Sequence, residues 1–393
     1  MAGTASQGSG SSRRRLDSAE FKGKVAAGRQ RPQWRRGSAP GIRTTWARRW
    51  QNDRMRYTLK SLFELPRSRR FSCRPPWLAA CALVALALGT ELHAFDLQAH
   101  RGGRGLMPEN TLAAFENALR MGVTTLELDI AITADGVAVV SHDPYLNPAI
   151  TRDPQGQWLR GSGPLIKSLS LAQVQTYDVG RLDPQSAYAK GFAGQQPRDG
   201  QRIPTLAALF QRVKELGANE VQFDIETKVF PNKPGDTLAP EEFVKVVLAV
   251  IRDAGMTRRV MIQSFDWRTL RLVQSMEPGL RTVHLTIQGR NSNNLLDGSW
   301  SDGAKLADYP SVAHMVRAAG GTVWSPNYNN IDQAAIRGAQ ALGLQVIPWT
   351  VNEVPDMRRL MDWGVDGIIS DYPDRLRELL RERGLPLPKG LKD

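Results

Sequence analysis

From residue 95 onward, short β-rich runs alternate strictly with helical runs, and this alternation is the strongest constraint on the fold. Runs rich in β-branched and aromatic residues indicate eight strands, at 95–99, 125–132, 221–225, 260–264, 281–285, 322–325, 345–349 and 367–370. Residues with helical spacing indicate eight helices, at 111–121, 206–216, 240–254, 267–276, 311–319, 333–342, 354–363 and 373–383. Eight strands in turn with eight helices predict an α/β fold, a (β/α)8 TIM barrel over residues 95–393.

One long segment, 144–204, interrupts the alternation after the second strand and its return arm. It is rich in Gly, Pro, Gln and Asp and shows no regular periodicity. Long irregular segments in compact domains usually carry a function, and the catalytic loops of such barrels gather at the C-terminal ends of the strands. We therefore predict an insertion that lies over this end of the barrel. A loop without a functional role fits the same residues.

The excess of positive charge precedes the predicted barrel. The whole chain carries a formal net charge of +13, which alone would suggest a nucleic-acid or anionic-surface partner. Residues 1–94 hold 19 of the 52 Lys and Arg residues but only 5 of the 39 Asp and Glu residues, which leaves 33 basic and 34 acidic residues in 95–393. The barrel itself is therefore nearly neutral, and we predict no nucleic-acid partner for it.

The segment before the barrel has the features of a targeting sequence. In residues 55–94, a basic stretch precedes an apolar run at 77–89. That run is shorter than the roughly 20 residues of a membrane span, so we predict a signal peptide that is cleaved after Ala94. The barrel would then be periplasmic or secreted, with no stable membrane partner; an uncleaved anchor is the alternative. Residues 1–54 are predicted to be a disordered basic extension, which is not translated if Met55 is the true start.

Charged residues with period-2 spacing mark the second predicted strand. Glu127 and Asp129 point to the same face of an extended segment, where they offer oxygen ligands to a hard divalent cation. His100 and His142 each follow an apolar run and thus lie at the C-terminal ends of strands. Two imidazoles beside a carboxylate pair are typical of an acid and a base, since imidazole titrates near neutral pH.

The third predicted strand supplies further charged residues on one face. Asp224, Glu226 and Lys228 alternate with other residues and share that face with Gln222. Either carboxylate would complete a three-oxygen site with the pair on the second strand, and three carboxylates favour Ca²⁺ or Mg²⁺ over zinc. An ordinary ion pair between Glu226 and Lys228 inside the barrel is the alternative.

The order of these residues resembles the active-site signature of the glycerophosphodiester phosphodiesterase family. The family pattern H-R-G, P-E-N-T, E-x-D, D-G and H-D occurs here in one run from His100 to Asp143. Five ordered short motifs are far more specific than any one of them. The family's E-x-K motif matches Glu226 and Lys228, and its later motifs match Trp349 and residues 364–373.

The resemblance implies a cation site and a phosphate site. It makes Glu226 the third metal ligand beside Glu127 and Asp129, and it favours Ca²⁺ over Mg²⁺ as the cofactor. Arg101 and Lys228 would then donate hydrogen bonds to the phosphate oxygens of the substrate.

Other residues receive supporting or structural roles. Trp349 would wall a glycerol-sized pocket, although core packing explains it nearly as well. Glu109 would support the site from the loop before the first helix. Asp366 and Asp371 are predicted to be turn and cap residues, and His284 and His314 are predicted to be structural or surface residues because no acidic cluster accompanies them.

The predicted activity is hydrolysis of glycerophosphodiesters to sn-glycerol 3-phosphate and an alcohol, with a small-molecule substrate as partner. His100 would act as the base and His142 as the acid, or with the roles exchanged, and the attacking group would be a glycerol hydroxyl or water. The alternatives are a lysophospholipase D or phospholipase-type relative, and a non-catalytic phosphodiester-binding barrel. The sequence leaves the oligomeric state open.

Overall fold

Nine strands form one sheet in the described part of the chain, residues 94–290 and 292–391 of the computed structural model. Eight of them are parallel: β1 Asp96–Ala99, β2 Thr125–Ile132, β4 Gln222–Thr227, β5 Val260–Ser264, β6 Arg281–Thr286, β7 Val323–Pro326, β8 Gln345–Val346 and β9 Gly367–Ser370. The ninth, β3 Ala138–Val140, pairs antiparallel with β2 as the return arm of a hairpin. The predicted extension 1–54 and the predicted signal peptide 55–94, apart from Ala94, lie outside the described residues.

The parallel strands close into a barrel. They neighbour one another in the order β8, β7, β6, β5, β4, β2, β1, β9. Three backbone hydrogen bonds of 3.0 Å join the two ends: the amide of Asp366 donates to Val346, that of Ile369 to Pro348, and that of Val351 to Ile369. The predicted (β/α)8 barrel is thereby confirmed. β8 is shorter than predicted, because Pro348 has no amide hydrogen to donate to a strand ladder.

Ten α-helices occur in the described ranges: α1 Leu112–Met121, α2 Leu171–Val174, α3 Ala187–Lys190, α4 Leu206–Glu215, α5 Pro240–Asp253, α6 Trp267–Met276, α7 Val312–Ala318, α8 Gln333–Ala341, α9 Val354–Trp363 and α10 Pro373–Glu382. The short α2 and α3 lie in the predicted insertion, and the other eight begin and end within one residue of the predicted helices. Thr111, Thr205 and Asp266 fix three of the starts, since each side chain accepts a backbone N–H of the first turn. Over these ranges, no helix combines the length and apolar character that a bilayer crossing requires.

The inside of the barrel is divided into an apolar and a polar part. The segments from β5 to β9 fill one part with a buried cluster of Met261, Val283, Val323, Ile347 and Ile369. Strands β1, β2 and β4 instead turn buried polar side chains inward, among them Gln98, Glu127, Asp129, Asp224 and Glu226. The apolar residues between them pack outward against the helices. Period-2 alternation thus collects the charged groups on one side of the lumen.

Candidate active site

Three carboxylates converge towards the C-terminal ends of β2 and β4. Glu127 and Asp129 alternate on β2, and the parallel register places Asp129 beside Glu226 of β4. One oxygen from each of the three lies within 4.8 Å of the others, and all three side chains are buried. The structure therefore brings the predicted ligand set together. Asp224, the alternative ligand, lies outside this group, and neither of its carboxylate oxygens has a hydrogen-bond partner among the described residues.

Burial governs the protonation of this carboxylate cluster. Burial raises the pKa of Glu127 well above its ordinary value, and the charge of Asp129 raises it further. Burial also raises the pKa of Glu226 to about 7, against the opposing charge of Lys228. For Asp129, nearby positive groups led by Arg101 outweigh burial and hold the pKa well below its ordinary value. Buried carboxylates at this separation repel one another when ionised, so the cluster favours a bound cation.

The donor set fits a hard divalent cation. All three groups supply oxygen, and Asp129 Oδ1 is buried without a hydrogen-bond partner in the described part of the chain. Ca²⁺ and Mg²⁺ take carboxylate oxygens, whereas zinc sites in proteins usually add His or Cys. Glu127, Asp129 and Glu226 are therefore the residues that would hold the ion.

Two cationic side chains border the carboxylates. Lys228 Nζ lies 2.8 Å from Glu226 Oε1 and 3.6 Å from Asp129 Oδ1, so the ion pair considered as an alternative coexists with the cluster. Arg101 Nε lies 3.3 Å from Asp129 Oδ2, and Arg101 Nη1 donates to Glu109 at 2.8 Å. Two positive side chains thus lie among the buried carboxylates at the C-terminal end of the barrel.

A strained loop after β1 directs the backbone amide of Arg101 towards the carboxylate cluster. Arg101 has a φ of +52° and Gly102 a φ of +81°, both in the left-handed region. In this conformation the backbone amide of Arg101 donates to Glu127 Oε2 at 2.8 Å. A Cβ at Gly102 would lie 2.9 Å from the Cβ of Ala114, so only glycine fits there. Strained non-glycine residues cluster at functional sites, where surrounding contacts fix them.

His100 is held in place by a buried carboxylate. Its Nδ1 lies 2.6 Å from Oδ1 of Asp371, which directly follows β9, and its Nε2 lies 3.9 Å from Glu127. Asp371 also accepts hydrogen bonds from Arg104 Nε and Asn352 Nδ2, both at 2.7 Å. The prediction that Asp371 is a turn or cap residue is wrong, because closure of the barrel places β9 beside β1 and brings this carboxylate to His100.

His142 faces the same pocket from the end of β3. Its side chain is 31% exposed, and Nδ1 lies 3.1 Å from Oδ1 of Asp143, which also accepts a hydrogen bond from Asn147 at 2.7 Å. Burial lowers the pKa of both histidines, that of His100 to about 4 despite the opposing charge of Asp371. Both imidazoles are therefore neutral at pH 7, and a neutral imidazole offers one nitrogen lone pair and one N–H.

One pocket of about 140 Å³ joins these groups. Its lining includes His100, Arg101, Glu127, His142, Glu226, Lys228 and Trp349. The Trp349 ring packs edge-on against Phe265 with centroids 5.2 Å apart, and its Nε1 donates to the carbonyl of Ser325 at 2.9 Å. Trp349 thus lines the pocket and also packs in the lumen, which agrees with both roles considered for it.

The segment between β3 and α4 contacts the pocket rim through Arg104. Arg104 Nη1 donates to the hydroxyl of Tyr188 in α3 at 2.9 Å, and the Arg104 guanidinium lies 4.9 Å from the ring centroid of Phe192. The Tyr188 hydroxyl donates in turn to Glu109. Gln195 Nε2 donates to the Arg104 carbonyl at 2.7 Å. This part of the predicted insertion therefore packs directly on residues that flank the pocket.

Several residues of the site receive no role at the site from the sequence analysis. Gln263 at the end of β5 donates to Glu127 at 2.6 Å, and Arg104, Asn352 and Asp371 form the support around the first histidine. The available signal is positional, since Gln263, Asn352 and Asp371 all lie at or just after the C-terminal ends of predicted strands, where barrel enzymes place their functional groups.

The chain matches the sequence pattern of a known protein family. The glycerophosphoryl diester phosphodiesterase family matches residues 100–375, a range that includes every group of the site. The chain belongs to this family. The predicted family and the predicted enzyme class, a phosphoric diester hydrolase, are confirmed.

Relatives in the family match most of the barrel. A glycerophosphodiester phosphodiesterase of Caldanaerobacter subterraneus is 32% identical over 286 residues, which are 73% of this chain and 98% of the relative. A crystal structure from Silicibacter pomeroyi, assigned to the same family, is 36% identical with a TM-score of 0.68 and covers 75% of this chain and 96% of that one. An Oleispira antarctica phosphodiesterase, whose structure holds the product sn-glycerol-3-phosphate, shares the fold at 21% identity and a TM-score of 0.52, over 72% of this chain and 96% of that one.

Proposed function

We propose that this member of the family hydrolyses glycerophosphodiesters to sn-glycerol 3-phosphate and an alcohol, with a divalent cation and two catalytic histidines. The observation that carries the proposal is one pocket in which His100 and His142 face a cluster of carboxylates whose oxygens lie within 4.8 Å of one another. The Caldanaerobacter relative bears the name of this activity, and the Oleispira structure holds its phosphate product. A barrel that only binds phosphodiesters needs neither a proton acceptor nor a proton donor, so the histidine pair favours catalysis.

Arg101 and Lys228 bind the phosphate in this proposal. Both side chains are buried and line the pocket, where their N–H groups make charge-assisted hydrogen bonds to phosphate oxygens. A cation held by Glu127, Asp129 and Glu226 supplies Lewis-acid stabilisation of the charge on those oxygens when it is bound.

We favour Ca²⁺ over Mg²⁺ as this cation. Ca²⁺ accepts several carboxylates in a flexible geometry, whereas Mg²⁺ keeps several waters and usually binds through one or two carboxylates. A site with three converging carboxylates, Glu127, Asp129 and Glu226, supports Ca²⁺ on this ground.

The surroundings of the two histidines suit them to different roles. Because Asp371 accepts the Nδ1 hydrogen of His100, the lone pair of His100 stays on Nε2, which suits it to accept a proton from the attacking hydroxyl. His142 is 31% exposed, so it can take up a proton from solvent and then, as an imidazolium, give that proton to the leaving alkoxide. The same assignment serves attack by a glycerol hydroxyl and attack by water.

The test is an assay of the full chain for release of sn-glycerol 3-phosphate from glycerophosphocholine, after chelation and after Ca²⁺ or Mg²⁺ is restored. We expect no turnover without a cation, and losses of at least about 100-fold in His100→Ala, His142→Ala and Glu127→Ala. His314→Ala, on the exposed face of α7, is the control and should keep the wild-type rate. Full activity after chelation would remove the cation from the proposal, and a wild-type rate in His142→Ala would remove its role as acid.

The same assay separates the alternatives. Faster turnover of lysophosphatidylcholine than of glycerophosphocholine would replace the proposal with lysophospholipase D activity. Binding of glycerophosphocholine without turnover in the Ca²⁺-loaded chain would replace it with a binding function.

We also propose that the chain is periplasmic or secreted and that residues 144–204 cap the pocket. The basic stretch and apolar run of residues 55–94 support export, and the contact of Tyr188 with Glu109 supports the cap. Fractionation of cells that express the full chain, with N-terminal sequencing of the exported form, should find a start at Phe95. Retention of the intact chain in the cytoplasm would contradict export.

A further inference from the structure

A second cavity opens beside the catalytic pocket, along the loops that follow β4, β5 and β6. Its volume is about 400 Å³, against about 140 Å³ for the catalytic pocket, and it shares Glu226, Lys228 and Phe265 with that pocket. Small-molecule sites in proteins measure roughly 300–1,000 Å³, so this cavity has the size of a ligand site. Because Lys228 lines both cavities, this one adjoins the proposed phosphate site.

Three half-buried aromatic rings line this cavity, which we call the aromatic cavity: Phe230, Phe265 and Trp300. Phe230 and Trp300 pack edge-on, with centroids 6.2 Å apart and an angle of 89° between the rings. Phe265 packs edge-on against Trp349 at 5.2 Å and 88°. These pairs fix the rings, whose faces carry the negative part of the aromatic quadrupole and attract cations.

Part of the polar lining of the aromatic cavity is already hydrogen-bonded within the protein. Asn294 Nδ2 donates to the carbonyl of Leu285 at 2.9 Å, and Asn294 Oδ1 accepts the amide of Ile287 at 2.9 Å. Thr227 Oγ1 pairs with Thr269 Oγ1 at 2.8 Å. A ligand rich in hydroxyl or N–H groups therefore gains little from Asn294 or Thr227, whose polar atoms already have partners.

The charges around the aromatic cavity disfavour an anionic ligand group. Among the described residues that line it, Glu226 and Lys228 are the charged ones, and they lie 2.8 Å apart as an ion pair. The lining therefore offers no unpaired cation to an additional phosphate or carboxylate.

We propose that the aromatic cavity binds the alcohol part of the substrate and selects one that carries a quaternary ammonium group, such as choline. A quaternary ammonium is cationic yet has no N–H to satisfy, so ring faces stabilise it without hydrogen bonds. Ethanolamine and inositol need partners for their N–H and O–H groups, and Asn294 and Thr227 in the lining are already engaged within the protein. The inference rests on the proposed function and names the head group for the same site.

The test compares kcat/KM of the Ca²⁺-loaded full chain for glycerophosphocholine, glycerophosphoethanolamine and glycerophosphoinositol. We expect the choline substrate to lead. Trp300→Leu should reduce that lead by about 2- to 30-fold, mainly through KM, and Trp300→Phe should keep most of it because a ring remains. Trp363→Leu, a half-buried tryptophan at the end of α9 and away from the cavity, is the control and should keep the wild-type preference.

Different results separate a failure of this inference from a failure of the proposed function. Equal kcat/KM for the three substrates, or an equal loss for all three in Trp300→Leu, would overturn the head-group assignment while the proposed function stands. No turnover of any of the three by the Ca²⁺-loaded chain would overturn both.

Discussion

Replacement of Asp371 by asparagine tests whether this carboxylate controls the state of His100. In the wild type, Asp371 Oδ1 accepts from His100 Nδ1 at 2.6 Å and from Arg104 Nε at 2.7 Å, while Oδ2 accepts from Asn352 Nδ2 at 2.7 Å. An asparagine offers one acceptor oxygen and one NH₂ group, so no orientation of the new side chain satisfies all three donors.

Both orientations of the new amide carry a cost. With its oxygen towards His100, its NH₂ group meets the NH₂ group of Asn352, and that donor loses its acceptor. With its NH₂ group towards His100, Nδ1 must become the acceptor and the proton moves to Nε2, which is the wrong tautomer for a base. One lost charge-assisted hydrogen bond costs about 1.5–3 kcal/mol of stability, and the loss of an orienting carboxylate lowers kcat by about 10²- to 10⁴-fold.

Asp366→Asn is the matched control, at the opposite end of β9. Asp366 Oδ2 accepts from the backbone amide of Val346 at 2.7 Å and from Gln340 Nε2 at 3.1 Å, far from the reaction. We expect both variants to lose about 1–3 kcal/mol in urea unfolding, but only Asp371→Asn to lose turnover, with little change in KM. Assays of glycerophosphocholine at saturating Ca²⁺ supply kcat and KM. A wild-type kcat in Asp371→Asn, or an equal loss of kcat in Asp366→Asn, would refute the reasoning.

Three further predictions concern the cation and acidic pH. Chelation should lower the Tm of the full chain, because the three buried carboxylates then repel one another, and calorimetry with and without Ca²⁺ measures this; an unchanged Tm contradicts it. The apparent affinity for Ca²⁺ should rise as the pH increases towards 7, because a proton and the cation compete for Glu226, whose pKa is raised to about 7. Titration calorimetry below and above that pKa is the measurement, and equal affinities would contradict the competition. Burial lowers the pKa of His284 from 6.5 to about 3. The stability that neutral His284 contributes is therefore complete above about pH 6.5. It is lost at about 1.4 kcal/mol per pH unit as the pH falls from about 6.5 towards 3. Acid unfolding of His284→Gln should therefore be less steep than that of the wild type, whereas the exposed His314→Gln should match it.

The sequence predicts the barrel and the carboxylate cluster well because both follow from local periodicity. Strand β2 places Glu127 and Asp129 inward by alternation alone, and β4 does the same for Asp224 and Glu226, between which the family motif selects Glu226. The helix starts follow from short-range capping by residues such as Thr111, which needs no knowledge of the tertiary structure. Local sequence patterns thus predict those features whose interacting residues lie within one strand or one helical turn.

These local rules do not predict which residue holds the His100 side chain in place. Asp371 lies 271 positions away along the chain and reaches His100 through closure of the barrel between β1 and β9. In the sequence, Asp366 and Asp371 are equivalent acidic residues beside a short apolar strand. The structure separates them, since Asp366 joins the start of β9 to β8 and α8, whereas Asp371 holds a catalytic candidate.

The histidines outside the motif show the same limit. The sequence assigns His284 and His314 to structural or surface positions without distinguishing them. The structure buries His284, with its ring edge-on to Trp267 at 4.8 Å, and leaves His314 exposed on α7. Whether a side chain is buried depends on the strands and helices that pack against it. The sequence around a single residue does not show these neighbours.

The aromatic cavity and the catalytic pocket draw most of their residues from different stretches of the chain. Residues 265–310 carry Phe265 and Trp300 of the cavity wall, yet they contain none of the three carboxylates, neither proposed catalytic histidine, and neither phosphate-binding cation. A chimera that takes this stretch from another family member keeps the reacting groups of its parent and acquires a new surface for the head group. Exchange of this stretch would thus change the head-group surface and leave the reacting groups in place.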